Sequence, residues 1–384
     1  MQPAPHRPLP TSASYGITVR LYAVPSPSVV GELATAVGMA GGLVTAIDVS
    51  ESRADRITVD VTCSAVNGEH AAEIVEAMRS VTGVSVHRVS DRTFLLHLGG
   101  KIAVQSKVPL RTRDDLSMAY TPGVGRVALA LAQRPEDVPK LTVKGNAVAV
   151  VTDGSAVLGL GNLGPGAALP VMEGKAALFK RFADIDAWPI CLATQNVDEI
   201  VATVRAISPG FGGINLEDIS APRCFEIEAR LRALLDIPVF HDDQHGTAIV
   251  VSAALKNALR CVSKSLDKAR IVVAGGGAAG TAIVTLLLAA GASHVLVWDR
   301  EGILAPGDER LNDAKRRLAE QTNPDGITGQ LHDALQGADV FIGVSGPDVL
   351  DPRWISDMAA DPVVFALANP DPEVDVDAAQ RLAA

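Results

Sequence analysis

The chain is 384 residues long, 48% hydrophobic but only 4% aromatic, and carries a net charge of −10. That length accommodates two or three domains, and an acid excess with no basic block excludes nucleic-acid binding and attraction to a membrane surface. No run is long and apolar enough to span a bilayer; the four cysteines, Cys63, Cys191, Cys224 and Cys261, lack the spacing of a metal or redox motif and read as reduced thiols of a cytoplasmic protein.

The Pro-rich start, MQPAPHRPLPTSAS, lacks the apolar stretch of a secretion signal, and residues 1–13 are expected to form a disordered tail. Residues 14–95 predict a strand over 16–23, a helix over 28–39 ending before Gly41 and Gly42, and strands near 43–49 and 56–63. A helix over 68–81 follows, on the spacing of Ala72, Ile74, Val75 and Met78, and then a strand near 83–89. This is the βαββαβ order of a split βαβ unit. It resembles an ACT domain, which implies a regulatory module that senses a small-molecule effector; a dimerisation or structural module is the alternative.

Residues 96–115 read as a connector. From about 116 onward apolar runs alternate with helical patterns, which predicts α/β layers on a largely parallel sheet. A boundary near 246 divides 96–245 from 246–384, with a helix over 246–262 leading into the next motif. There an apolar strand, Ile271–Ala274, runs into Gly275-x-Gly277-Ala278-Ala279-Gly280, then a helix, then a strand ending at Asp299. This is a Rossmann dinucleotide fingerprint. The first glycine makes the turn, the second admits a pyrophosphate, the third lets helix and strand pack, and the helix start offers free N–H groups to phosphate. Asp299 suits the ribose hydroxyls of NAD, whereas Arg300 beside it could hold the 2′-phosphate of NADP. A second GxGxxG, at Gly159, Gly161 and Gly164, is followed at once by Pro165 and reads as a loop beside the substrate.

Two acidic pairs, Glu217–Asp218 and Asp242–Asp243, follow short apolar strands, where open α/β sheets build ligand sites. Neighbouring residues at a strand end point oppositely, so one of Asp242 and Asp243 can meet a metal while the other faces elsewhere. Three carboxylates suit Mg2+ or Mn2+ and not zinc. In VMEGKAALFKRFAD, Lys175 shares a helical stripe with Val171, Met172, Leu178, Phe179 and Phe182. Lost hydration there would lower its pKa and prepare a base; a lysine snorkelling at the rim of a core is the alternative.

DDLSMAYTPGV, VAVVTDGSAVLGLGNLGP, PVMEGKAALFK, GGINLEDISAPRCFEIE, FHDDQHGTAIV and FALANPDPEV together resemble the short bacterial malic enzymes over residues 96–384. The resemblance implies an N-terminal catalytic and metal domain (96–245), a Rossmann NAD(P)-binding domain (246–384), and oxidative decarboxylation of (S)-malate to pyruvate and CO2, with oxaloacetate decarboxylation besides. It implies Lys175 as base, Tyr120 as the acid that protonates the enol, Glu217, Asp218 and Asp243 as metal ligands, and Asp242 as a residue that adjusts the lysine. Asn369 is placed near nicotinamide and substrate. A homodimer or higher homo-oligomer is also implied. The arginine that larger relatives carry after TDG is absent here, where Ser155 and Ala156 follow. Family members continue past the ANPDPEV segment, so a chain ending at Ala384 reads as C-terminally incomplete. The alternatives are a malolactic-type enzyme and a truncated cofactor-binding or regulatory subunit.

Overall fold

The computed structural model describes residues 13–369 and 371–383. The expected tail falls, apart from Ala13, outside the described residues. The chain divides into two units, Met1–Ala103 and Val104–Ala384.

In the first unit the order is β1 (Gly16–Ala23), α1 (Val29–Met39), β2 (Leu43–Ser52), β3 (Ile57–Ser64), α2 (Gly68–Arg79), β4 (Val84–Asp91) and α3 (Arg92–His97). The four strands form an antiparallel sheet in the order β2-β3-β1-β4. Each long helix buries a stripe four residues apart, Val29, Leu33 and Val37 on α1 and His70, Ile74 and Met78 on α2. These close on Val19, Leu21, Val59 and Val61 of the central strands; full burial of each aliphatic side chain stabilises the unit by roughly 1.5–3 kcal/mol. Ala72, expected on the α2 stripe, is exposed instead. The polar face of the sheet is tied by the paired bonds from Arg20 to Asp60, both 2.8 Å.

The second unit begins with three short helices, α4 (Arg113–Ala119), α5 (Gly123–Gln133) and α6 (Val138–Leu141). A capping box between Thr112 and Asp115 starts α4. Neither α4 nor α5 buries a single residue. There follow β5 (Ala147–Thr152), α7 (Pro165–Ala183), β6 (Asp186–Cys191), α8 (Val197–Ile207), β7 (Gly213–Leu216), α9 (Arg223–Leu234) and β8 (Val239–His241). They build a parallel sheet in the order β6-β5-β7-β8. All of β7 is buried, as a parallel strand flanked by helices requires. From β5 the chain first adds β6 on one side and then β7 on the other, so a switch point opens at the carboxyl ends of β5 and β7, where ligands bind.

The long α10 (Asp242–Cys261) leads to β9 (Arg270–Ala274), α11 (Ala278–Ala289), β10 (His294–Asp299), β11 (Gly302–Ile303), α12 (Asp313–Thr322), α13 (Leu331–Leu335), β12 (Val340–Gly343), β13 (Val363–Ala366) and α14 (Val376–Ala383). The sheet order is β11-β10-β9-β12-β13, parallel except for β11. Its own switch point lies between β9 and β12. Val251, Leu255, Ile283 and Leu287 of α10 and α11 pack on Ile271, Val273, Val297 and Ile342.

Two expectations are corrected here. The helix expected over 246–262 starts at Asp242, because two acids in a first turn favour the positive helix end. Asp242 and Asp243 do follow β8 directly, as expected, but they stand in the first turn of α10. Their divergence is the helical step between neighbours, not the alternation of a strand.

Candidate active site

Five charged side chains converge at the carboxyl edge of the β5–β8 sheet. Lys175 of α7 places Nζ 2.5 Å from Asp242 Oδ2 and 3.1 Å from Glu217 Oε1. Glu217 and Asp218 follow β7 directly; the Asp218 amide donates to Asp243 Oδ2 at 2.9 Å, and Asn215 Nδ2 donates to Glu217 Oε2 at 2.9 Å. Asp218 holds a left-handed φ of 54°, which aspartate tolerates better than most residues.

The lysine differs from expectation. The buried face of α7 is Ala168, Met172 and Ala176, while Leu178 and Phe182 are exposed, Phe182 by 82%. Lys175 is therefore at the margin of the buried face. Burial is the largest influence on its ammonium and pulls the pKa down, but Glu217 and Asp242 together outweigh it and the net shift is upward. Hydration lost to a lysine is here replaced by two carboxylates.

Glu217, Asp218 and Asp243 each offer an oxygen within 4.8 Å of the others'. Burial, then the nearby Asp243, pushes Glu217 up to about 7 and Asp218 up to about 6. Asp218 Oδ2 is buried without a hydrogen-bond partner. Crowded, desolvated carboxylates with an unclaimed oxygen fit a hard divalent cation.

The floor of the site is fixed by ions of its own. Asp153, at the end of β5, is fully buried and pairs with Arg223 Nη1 at 2.8 Å. Arg223 also donates to Gln195 O at 2.6 Å and Ser220 Oγ at 3.0 Å, so it binds the loop after β5 to the loop after β7. Gly154 is obligatory in that loop, with φ of 68° and the backbone of Gly164 where a Cβ would stand.

On the second sheet, Gly275 has φ of 118°, and a Cβ on it would lie 2.5 Å from Val344 O; one on Gly280 would lie 1.8 Å from Gly275 O. Gly277, which opens α11, has nothing within 4 Å of such a Cβ, so the amides of Ala278 and Ala279 start the helix beside open space. Asp299 ends β10. Its Oδ2 accepts from Lys315 at 2.7 Å and from the Gly276 amide at 3.2 Å, and its Oδ1 from the Arg300 amide at 2.7 Å. Burial is the largest influence and raises Asp299, but Lys315 and the two amides hold it below the usual range. Asn369 lies in the loop after β13, its backbone oxygen 2.5 Å from where a Cβ on Gly159 would stand. The loop after β5 and the loop after β13 therefore touch.

Residues 99–232 match the malic enzyme N-terminal domain, and residues 244–384 the malic enzyme NAD binding domain. The chain is 52% identical over 372 residues to an NAD-dependent malic enzyme of Geobacillus stearothermophilus, covering 97% of this chain and 78% of that one. The chain belongs to the malic enzyme family. It is also 52% identical over 276 residues to a bifunctional malic/malolactic enzyme of Bacillus subtilis, over 72% of this chain and 67% of that one. The crystal structure of an NAD-dependent malic enzyme from Thermotoga maritima superposes with a TM-score of 0.74 at 52% identity, covering 77% of this chain and 79% of that one.

Members of the family are NAD(P)-dependent oxidoreductases. The structure brings Lys175, Glu217, Asp218, Asp242 and Asp243 together. Among the described residues the Tyr120 side chain makes no hydrogen bond to them: it is 68% exposed, at the end of the uncovered α4. Sequence reasoning missed Arg223 and Lys315. Both sit in the first turn of a helix, where the helix dipole disfavours a cation, and that misfit was the available signal.

Proposed function

We propose that the chain oxidises and decarboxylates malate to pyruvate and CO2 with reduction of NAD. The observation that carries this reading is Lys175 held between Glu217 and Asp242, beside the carboxylate cluster. Glu217, Asp218 and Asp243 would hold a magnesium or manganese ion, which would supply Lewis-acid chemistry. Lys175 takes the C2 hydroxyl proton as hydride leaves C2, and Asp242 orients it. Glu217 is one of the two carboxylates that favour the charged ammonium, and it would also be one of the residues that hold the ion. Tyr120 returns a proton to C3 after CO2 has left. Purified chain should reduce NAD with malate and manganese and lose that activity with a chelator; release of lactate without net NADH would instead favour the malolactic alternative.

Tyr120 is assigned to the site of a second copy of this chain. Its hairpin of α4 and α5 buries nothing, and Phe182 and Leu178 on the site-bearing α7 are likewise uncovered.

Asp299 and Lys315 would set cofactor choice. With Asp299 in place a 2′-phosphate is repelled and Lys315 is occupied. Asp299→Ser should shift the NADP to NAD ratio of kcat/KM upward by about 10- to 100-fold, the worth of one charge-assisted hydrogen bond. Lys315→Ala added to it should cancel the shift. An unchanged ratio in the single variant would mean another residue reads the ribose.

The first unit is assigned an ACT-like regulatory role, since it holds none of the residues above. Expressing Val104–Ala384 alone should leave malate turnover largely intact and remove any response to small-molecule effectors. Turnover lost from a folded fragment would count against the assignment.

A further inference from the structure

We infer that Glu373 is a positioning residue that locks Asn369 and the loop at Ser345 into one arrangement across the mouth of the site, an inference that rests on the malate-oxidising reading above. Glu373 is fully buried. Among the described residues its carboxylate meets neutral donors and no cation: Oε1 accepts from the Ser345 amide at 2.8 Å and from Ser345 Oγ at 3.3 Å, and Oε2 from the Ala368 amide at 3.0 Å. Ser345 follows β12 and Ala368 follows β13, so one side chain spans the loops of two neighbouring strands, a gap of about 4.8 Å. The same segment adds main-chain bonds, from the Leu350 amide to Glu373 O at 2.9 Å and from the Asp348 amide to Pro372 O at 3.3 Å. Room for the carboxylate is reserved, since a Cβ on Gly343 would lie 2.4 Å from Glu373 Cδ.

Burying a carboxylate without a counter-ion is costly, and apolar packing would join two loops at less expense. What the carboxylate adds is fixed direction at two backbone amides. Those loops carry the site's two sides. Ser345 Cα is 3.4 Å, and Val344 O 2.5 Å, from where a Cβ on Gly275 would be, and Asn369 O abuts Gly159 in the loop from β5. Glu373 thereby connects the loop beside the dinucleotide turn to the loop beside Gly159, through Ser345 and Ala368.

Glu373→Gln preserves size but turns an NH2 toward one of the two amides. In the full-length chain it should lower kcat/KM for malate roughly 10- to 100-fold, the usual cost of a small misplacement near the chemistry. NADH affinity, read by fluorescence titration, should change far less, because Asp299 and the glycine turn still hold the adenosine half. Amide exchange at Ser345 and Ala368 should accelerate, and Gly343→Ala, which displaces the carboxylate without altering it, should reproduce the pattern. Ser345→Ala, which removes only the 3.3 Å contact, serves if the other two do not fold, with the same pattern at smaller amplitude. Unchanged kcat/KM, or a loss matched equally in NADH affinity, overturns the inference, as does unchanged exchange at both amides. A wild-type chain that does not turn over malate sinks the functional reading alone, and exchange at Ser345 and Ala368 still decides whether Glu373 is the lock.

Discussion

Lys175→Ala is expected to slow malate oxidation by about two to four orders of magnitude, the range for losing a positioned acid or base. In barrier terms that is about 3–5 kcal/mol. The reason is local. Among the described residues no other cation is paired with both Asp242 and Glu217, which Lys175 Nζ meets at 2.5 Å and 3.1 Å. Removing it also leaves those two carboxylates facing each other without the cation between them, so a fall in melting temperature should accompany the loss. A small primary amine should restore part of the oxidation rate, and reduction of oxaloacetate by NADH should suffer alongside. Asp242→Asn should retain more activity than Lys175→Ala, because it removes an orienting charge and leaves the proton acceptor in place. If Lys175→Ala oxidises malate within tenfold of wild type, below the smallest loss expected of such a base, the assignment is wrong. The measurement is initial-rate NADH formation at saturating malate and manganese.

Much of the architecture was legible because local pattern and global fold agree. The βαββαβ order of the first unit could be read because β1 and β3 largely alternate apolar with polar residues and each helix has one period-four stripe. The dinucleotide turn was legible for a stronger reason: Gly275, Gly277 and Gly280 each answer a separate steric demand, and Asp299 closes the unit at the right distance. Neighbourhood in three dimensions was not legible from periodicity. Lys175 and Asp242 are far apart in sequence, and the stripe that suggested a desolvated lysine shares only Met172 with the face that α7 buries, because Ala168 and Ala176 turn inward while Leu178 and Phe182 turn out. That Asp242 and Asp243 begin a helix was not legible, because a short strand, Val239–His241, runs directly into them. Glu373 offered no signal beyond its place in ANPDPEV; its burial, and the empty place at Gly343 that permits it, exist only once β12 and β13 lie side by side.

Mixing two inactive variants is expected to restore activity. Tyr120→Phe alone should impair ketonisation of the enol while leaving some hydride transfer, and Lys175→Ala should block oxidation. Suppose the α4–α5 hairpin docks on a second copy. In a two-fold pair made from one chain of each kind, the site on the Tyr120→Phe chain keeps its own Lys175 and receives Tyr120 from the other. The opposite site lacks both. With random pairing half of the pairs are mixed and half of their sites are intact, so malate turnover should recover to about one quarter of wild type. If Tyr120 serves the site of its own chain, every site in every pairing carries one defect, and mixing yields only the average of the two residual rates. Co-expression with two different affinity tags isolates the mixed pairs and should raise the recovered rate to about one half. The uncovered helices make the first outcome the expected one: a hairpin with no buried residue on its own chain, bearing Met118, Tyr120 and Leu129 to solvent, gains apolar burial only by meeting another surface. No recovery in the isolated mixed pairs would return Tyr120 to its own chain or remove it from the reaction, and malate turnover by Tyr120→Phe alone separates those two results.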